Sequence, residues 1–141
     1  MGAKTYDEVE VGAEIPTRTF DVQRVNLIQY AGASGDANVI HWNERIAKMV
    51  GLPDVIAHGM YTMAEVGRLV TDWAGDPGAV VEYAARFSRP VVVPDEGGAT
   101  LTVAGTVESK DPDTRTAVVN ITAHVGEDKV LSGARAVVRL A

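Results

Sequence analysis

The feature that most constrains the fold of this chain is a change of hydrophobic period near residue 80. Apolar residues in the segment 59–73 are spread around most of a helical circumference, which is typical of a buried helix. In the segment 81–87 they occupy every second position, which is typical of a strand with one face in water. Three further β-rich runs follow, 100–109, 116–125 and 129–140.

The segment before this helix predicts an extended start over 13–20 and two short helices, over 25–31 and 44–50. Gly32 and Gly35 are expected to stop the first of these helices. The economical arrangement is an α+β fold, in which an antiparallel sheet wraps around one buried central helix in a single domain over 1–141. Such a sheet leaves an edge and an apolar rim, so we expect a dimer.

Composition narrows the classes of partner. The formal charge of −6 over 141 residues argues against nucleic acid, because phosphate binding needs a basic surface. The chain has no cysteine, which excludes thiol nucleophiles and agrees with a cytoplasmic location. No apolar run approaches the length of a membrane span, and the N-terminal sequence lacks a signal-peptide pattern. We therefore predict neither a membrane nor a nucleic-acid partner.

A short turn carries the residues best suited to proton transfer. Asp36 lies five residues before His41 in a stretch too rich in Gly, Ala, Ser and Asn to remain helical. A carboxyl group and an imidazole held by one turn form a candidate acid and base pair. The structural alternative is that Asp36 caps a helix and His41 belongs to a loop.

The start of the central helix offers a different kind of group. Backbone N–H groups without partners at Gly59, together with the helix dipole, can stabilise an oxyanion. His58 is interpreted as structural, with its side chain directed away from a ligand at the helix start. His124 is interpreted as packing or surface, and the three histidines show no metal-ligand spacing. Met60 and Met63 are expected in the core, with the lining of a substrate tunnel as the alternative.

The motifs in 30–41 and 57–60, together with Arg86-Phe87 and the prolines at 90 and 94, resemble those of a known family. The chain is similar to the MaoC-like, (R)-specific enoyl hydratase and dehydratase family of the hotdog fold. Segments 41–42, 51–52, 57–60 and 73–80 most resemble the catalytic beta subunit of the actinobacterial (3R)-hydroxyacyl-carrier-protein dehydratases. One departure is Val39, where the family usually has proline.

This resemblance implies a dehydratase of (3R)-3-hydroxyacyl thioesters, or a hydratase of trans-2-enoyl thioesters, in fatty acid or polyketide-type metabolism. Asp36 and His41 would be catalytic, and the backbone amide of Gly59 would form the oxyanion hole. Asn38 would orient water or substrate, or else it only bonds to its own turn. We expect His41 to take the α-proton and Asp36 to handle the hydroxyl group, although the reverse remains open. No cofactor is expected, because the 4'-phosphopantetheine arm belongs to the substrate.

The carrier of the thioester is expected to be acyl carrier protein or coenzyme A, both of which are anionic. A receiving patch, or else ordinary solvated charge, is formed by Arg45, Lys48, Arg86 and Arg89. The dimer would be a homodimer or a heterodimer with a second hotdog subunit. Two other functions remain open, a hotdog acyl thioesterase and an acyl-binding partner subunit of a heterodimeric dehydratase. The Asp36 to His41 turn favours dehydration.

Overall fold

A five-stranded antiparallel sheet forms the frame of the computed structural model, which describes residues 2–141. The strands are β1 (Glu14–Val22), β2 (Val80–Phe87), β3 (Ala99–Asp111), β4 (Thr116–Val125) and β5 (Asp128–Arg139). Their order across the sheet is β1-β3-β4-β5-β2, so three consecutive strands form the centre and the two earlier strands form the edges. The predicted antiparallel sheet is confirmed.

Alternating burial explains why the C-terminal half forms strands. Leu101, Val103 and Val107 of β3 are buried, whereas Thr102 and Thr106 on the opposite face are exposed. Each buried side chain in such a strand contributes to one apolar face, and that face must be covered by another layer. The predicted run 100–109 corresponds to β3, which extends slightly beyond it at both ends.

Three α-helices accompany the sheet: α1 (Arg24–Ser34), α2 (Glu44–Met49) and α3 (Gly59–Ala74). The expectation that Gly32 stops the first helix is wrong, because Gly32 lies inside α1. A glycine in a helix interior costs only about 1 kcal/mol, so the helix can continue through it. The helix ends at Gly35, whose φ of 78° is the left-handed conformation that glycine adopts readily. Along residues 2–141, none of the helices combines the length and apolarity that crossing a bilayer requires.

Helix α3 supplies the layer that covers the sheet. Val66, Leu69 and Val70 are at most 1% exposed, and α3 contacts β1, β2, β3 and β5. The opposite side of the helix is a stripe of exposed residues at four-residue spacing, Met60, Ala64, Arg68 and Asp72. The central helix is therefore buried on the face toward the sheet and open to solvent on the other face of this single chain.

Tyr83 fixes the edge strand β2 against α3. Its hydroxyl group donates a hydrogen bond of 2.7 Å to the carbonyl oxygen of Met63. A Cβ atom at Gly67 would lie 3.1 Å from the Tyr83 ring, so the absence of a side chain there allows the close approach. Burial raises the pKa of Tyr83, which keeps the hydroxyl group protonated as a donor.

Arg24 ties together the segments that surround the turn between α1 and α2. Its Nε donates to the carbonyl oxygen of Val93 at 3.0 Å. Its two terminal nitrogens donate to Glu44 at 3.0 Å and to Asp54 at 2.7 Å. Since Arg24 begins α1 and Glu44 begins α2, these bonds hold the two ends of the intervening turn in place.

Candidate active site

The turn between α1 and α2 is built from short side-chain bonds to its own backbone. The Asn38 N–H donates to Asp36 Oδ1 at 3.2 Å, and the Ile40 N–H donates to Asn38 Oδ1 at 3.2 Å. Residues Val39–His41 then form one turn of 3₁₀ helix, which delivers His41 to the interior. The side-chain oxygen of Asn38 therefore accepts a hydrogen bond within the turn, which is the structural role stated above as the alternative to orienting water or substrate. The side-chain amide nitrogen of Asn38 has no hydrogen bond within the turn.

Val39→Pro is expected to raise the free energy of unfolding by up to about 1 kcal/mol. Val39 is the first residue of the 3₁₀ turn, a position where the fixed φ of proline fits and the N–H has no helical partner. Asn38 has φ of −55° and ψ of 129°, an extended conformation compatible with a following proline. Chemical denaturation of both proteins measures the effect. A clear loss of stability would mean that the φ angle of Val39 is far from that of proline.

His41 is buried and bound at one nitrogen. Its side chain is 8% exposed, and its Nδ1 lies 2.7 Å from the carbonyl oxygen of Ile56. Because a carbonyl oxygen only accepts, this bond assigns the proton of the neutral ring to Nδ1. Nε2 then carries a free lone pair and lies 3.9 Å from Asp36 Oδ2. That separation is too long for a hydrogen bond, and Asp36 is exposed, so a reacting group or a water molecule can contact both.

His58 lies in the same site, contrary to the expectation that its side chain is directed away from it. The ring is stacked on that of His41, with centroids 3.7 Å apart and planes at 20°. Its Nε2 is 3.0 Å from the backbone carbonyl oxygen of Asp36, and Tyr30 contacts it edge-on at 4.8 Å. The position of His58 directly before Gly59 was the one sequence signal that could have indicated this.

Gly59 begins α3 at the junction of two cavities. The first cavity has a volume of about 330 Å³ and is bordered by Asp36, the acidic member of the candidate pair. Its lining residues are Tyr30, Ser34, Asp36, His58, Gly59, Met60 and Phe87. A second cavity of about 350 Å³ also touches Gly59 and Phe87 and extends toward Thr62 and Val130 in the interior. Met60 is 57% exposed, so its assignment to the core was wrong.

Phe87 lies between these two cavities. Its ring atoms would be 3.0 to 3.1 Å from a Cβ atom at Gly59, so glycine is needed for the ring to rest on the start of the helix. Phe87 is also 55% exposed, so no part of residues 2–141 encloses its ring. The backbone N–H of Gly59 is the first of α3 and has no partner inside the helix.

The four cationic residues do not form one cluster on a single element. Arg45 and Lys48 lie on α2, and the Lys48 ammonium group is 2.6 Å from Glu44. This hydrogen bond raises the pKa of Lys48. Arg86 lies on β2, and Arg89 lines the second cavity beside Gly59. Arg89 is therefore the member of this set that the structure places next to the site.

The spacing of the histidines along the sequence predicts no metal site, yet Asp36, His41 and His58 offer ligand atoms within 4.8 Å of one another. The spacing argument was wrong for His58, which the fold brings to the turn from the next segment. Nitrogen lone pairs lie in the ring planes, and the planes of the stacked rings are nearly parallel. Lone pairs in parallel planes cannot both point at one ion at about 2.1 Å, so the geometry favours packing over ligation. His124 lies on β4, paired with Thr102 and Lys129.

This arrangement can therefore move protons beside a stabilised oxyanion. The basic nitrogen of His41 lies 3.9 Å from the Asp36 carboxyl group, and Asp36 lines the same cavity as Gly59, where α3 begins. The structure thus brings together Asp36, His41 and Gly59, with Asn38 in the connecting turn.

Comparison with known families gives one match that covers most of the chain. Residues 7–125 match the model of the MaoC like domain. The chain is 41% identical over 83 residues to 3-hydroxyacyl-thioester dehydratase X of Mycobacterium tuberculosis, which covers 59% of this chain and 29% of that protein. It is 29% identical over 130 residues to 3-hydroxybutyryl-CoA dehydratase of Methylorubrum extorquens, covering 91% of this chain and 79% of that protein.

Solved structures agree with the sheet and helix described above. A structure named MaoC-like dehydratase superposes with a TM-score of 0.96 at 46% identity, covering 99% of this chain and 43% of that chain. The unliganded R-hydratase PhaJ1 from Pseudomonas aeruginosa superposes with a TM-score of 0.84 at 25% identity, covering 98% and 86%. The predicted hotdog fold is confirmed. The chain spans less than half of the first of these structures and under a third of the mycobacterial relative.

Proposed function

The chain belongs to the MaoC-like domain family, and on that premise we propose that it is a hydro-lyase acting on acyl thioesters. The reaction interconverts (3R)-3-hydroxyacyl and trans-2-enoyl thioesters. One observation carries the proposal: the unprotonated Nε2 of His41 lies 3.9 Å from the carboxyl group of Asp36. Dehydration needs a base at one carbon and an acid at its neighbour, and two groups this close can each contact one of two adjacent carbons from the same side of the substrate.

In the dehydration direction, His41 Nε2 removes the proton from the α-carbon. The electrons of that C–H bond form the new double bond as the bond between the β-carbon and the hydroxyl oxygen breaks. Asp36, protonated for this step, gives its proton to the departing hydroxyl group, which leaves as water. After this step His41 has gained a proton and Asp36 has lost one. Proton transfer from His41 to Asp36, directly or through water, restores the starting state.

The bond from His41 Nδ1 to Ile56 supports this division of roles. A neutral imidazole whose Nδ1 carries the proton can act as a base only at Nε2, the nitrogen nearer Asp36. Asn38 has an amide nitrogen to donate to the hydroxyl oxygen or a water molecule, since its side-chain oxygen is bound by the turn. These roles remain parts of the proposal.

The thioester oxygen gains negative charge as the α-proton leaves. The N–H of Gly59 at the start of α3 is proposed to stabilise that charge, assisted by the helix dipole. The reaction as written needs no metal or redox cofactor, because no electrons are transferred to or from the substrate. The 4'-phosphopantetheine arm arrives with the substrate.

We propose acyl carrier protein or coenzyme A as the carrier and a cytoplasmic location. Arg89 is the best-placed receiving residue, since it lines the cavity that continues from Gly59. It is 67% exposed and lies 3.9 Å from Asp128, so this contact leaves much of it accessible to an anionic carrier. Arg45, Lys48 and Arg86 would extend the patch only if the carrier spans several elements.

The dimer remains a proposal as well. The edge strand β2 presents Val81, which is 45% exposed, and Phe87 at its end, and the outer stripe of α3 begins with the exposed Met60. A second hotdog subunit, identical or different, would cover this surface beside the cavities. Light scattering is expected to give a dimer, with activity falling on dilution. A fully active monomer at nanomolar concentration would contradict this.

The function is tested with crotonyl and longer trans-2-enoyl thioesters on both carriers. We expect hydration to the (3R)-3-hydroxyacyl thioester. The loss of enoyl absorbance measures its rate, and chiral analysis identifies the product. A thiol reagent in a parallel reaction distinguishes the thioesterase alternative, because only hydrolysis releases the free thiol. Binding of the thioesters without turnover of either kind would favour the acyl-binding subunit. Either of these last two results would overturn the proposal.

A further inference from the structure

His58 is a buried polar side chain that the proposed proton transfers do not use. It is 2% exposed and comes from the segment before α3, whereas Asp36 and His41 come from the turn after α1. The ring nevertheless contacts both members of the pair. A side chain that reaches two reacting residues from a separate segment can fix their relative position.

The contact with Asp36 is made to the backbone. The accepting atom at 3.0 Å is a carbonyl oxygen, so Nε2 of the neutral His58 ring carries the proton and donates it. The carboxyl group of Asp36 is 54% exposed, and Ser34 and Asn38, the other residues bonded to Asp36, lie only two positions from it along the chain. Through this bond, the start of α3 determines where the Asp36 side chain leaves the backbone.

The contact with His41 is made by the ring face. The bond from Nδ1 to Ile56 fixes one point of the His41 ring but leaves rotation about that point. Stacking at 3.7 Å and 20° restricts the plane of the ring. The Nε2 lone pair lies in that plane, so the stack limits the directions in which the lone pair can point, with Asp36 Oδ2 at 3.9 Å from Nε2.

Packing alone does not account for a histidine at this position. Its Nδ1 is buried and has no hydrogen-bond partner anywhere in the range 2–141. An unpaired buried acceptor lowers stability, and an apolar ring of similar shape would avoid that cost. The feature that an apolar ring would lack is the Nε2–H bond to Asp36.

We infer that His58 is a positioning residue for the proposed pair, with its Nε2–H fixing the Asp36 backbone and its ring fixing the plane of His41. This inference rests on the proposed function, because the loss of this positioning would be measured as a lower rate of turnover. His58 acts through the two reacting residues and exchanges no proton with the substrate.

Two substitutions separate the parts of this role. His58→Phe keeps a ring for stacking and removes the donor, whereas His58→Gln keeps an N–H donor and removes the ring. Each is expected to lower kcat by about tenfold to a hundredfold through misplacement of the pair, with KM changed by less than about threefold. Val66→Ala is the matched control, since it truncates a buried side chain of the helix that follows His58, and its kcat should stay near that of the wild type.

The wild type is assayed first, so that absence of turnover counts against the proposed function and not against the positioning role. Long-range proton–nitrogen NMR spectra then test that role without activity. They are expected to show His41 protonated at Nδ1 and His58 at Nε2, with the His41 Nδ1–H signal broadened in both His58 variants. A kcat within twofold of the wild type in both folded variants would overturn the inference. Reversed tautomers in the wild type would do so even if neither variant folds.

Discussion

His41→Ala is expected to lower the kcat of enoyl-thioester hydration by at least about a hundredfold, because it removes one of the two proton-transfer groups. The truncation also leaves the Ile56 carbonyl oxygen without its donor, at a cost of about 1–3 kcal/mol in stability. Activity is therefore compared only after circular dichroism has established that the variant is folded. His124→Ala, a histidine of β4 outside the site, is the matched control and should keep its activity.

Asp36→Asn tests the other member of the pair with almost no change of shape. Asparagine keeps an oxygen to accept from the Asn38 N–H, so the turn should persist while the exchangeable carboxyl proton is lost. We expect a loss of kcat of at least about a hundredfold. Asp76→Asn is the control, because Asp76 accepts in the same way from the Gly78 N–H in a different turn. Near wild-type hydration by folded His41→Ala or Asp36→Asn would contradict the assignment.

The second large effect is expected at the start of α3. Gly59→Val should lower kcat/KM by roughly tenfold to a thousandfold, because the new side chain keeps the thioester oxygen from the N–H donor. The Cβ atom would also press on the Phe87 ring at 3.0 to 3.1 Å. Because that ring is 55% exposed, it can move aside, and the fold should survive.

Two further variants identify the cause of this loss. Gly67 lies on the same helix as Gly59, and Gly67→Ala places a Cβ atom 3.1 Å from the ring of Tyr83 on β2. This variant therefore reproduces the steric crowding at a position away from the site. It should retain kcat/KM. Gly59→Val combined with Phe87→Leu relieves the ring contact but not the obstruction of the N–H, so activity should stay low. A fully active, folded Gly59→Val protein would place the oxyanion donor elsewhere.

The parts of the fold set by local pattern could be predicted from the sequence. Buried residues alternate along β3 because every second side chain faces α3, so Leu101, Val103 and Val107 identify the strand without knowledge of its neighbours. The proximity of Asp36 and His41 was predictable for a similar reason, since one short turn connects them. In both cases the information lies within about ten residues of chain.

The remaining parts depend on contacts between distant segments. The bond between His58 and Asp36 joins residues 22 positions apart, and neither residue type indicates it. Gly32 is a different case, because a single glycine costs a helix interior only about 1 kcal/mol, and α1 continues through it to the left-handed Gly35. The exposure of Met60 follows from which face of α3 the sheet covers, and the nearly uniform apolar pattern of that helix did not specify the face.

The place of Phe87 between the two cavities also affects how an enzyme of this kind can change. Phe87 borders both spaces that meet at Gly59 and has no proton-transfer role in the proposed reaction. A smaller side chain there would join these spaces and leave Asp36 and His41 as they are. Phe87 would then control which acyl groups the proposed enzyme admits, whereas Asp36 and His41 would control the reaction. Because different residues set these two properties, substrate range and chemistry could diverge at different rates among descendants of one ancestral sequence.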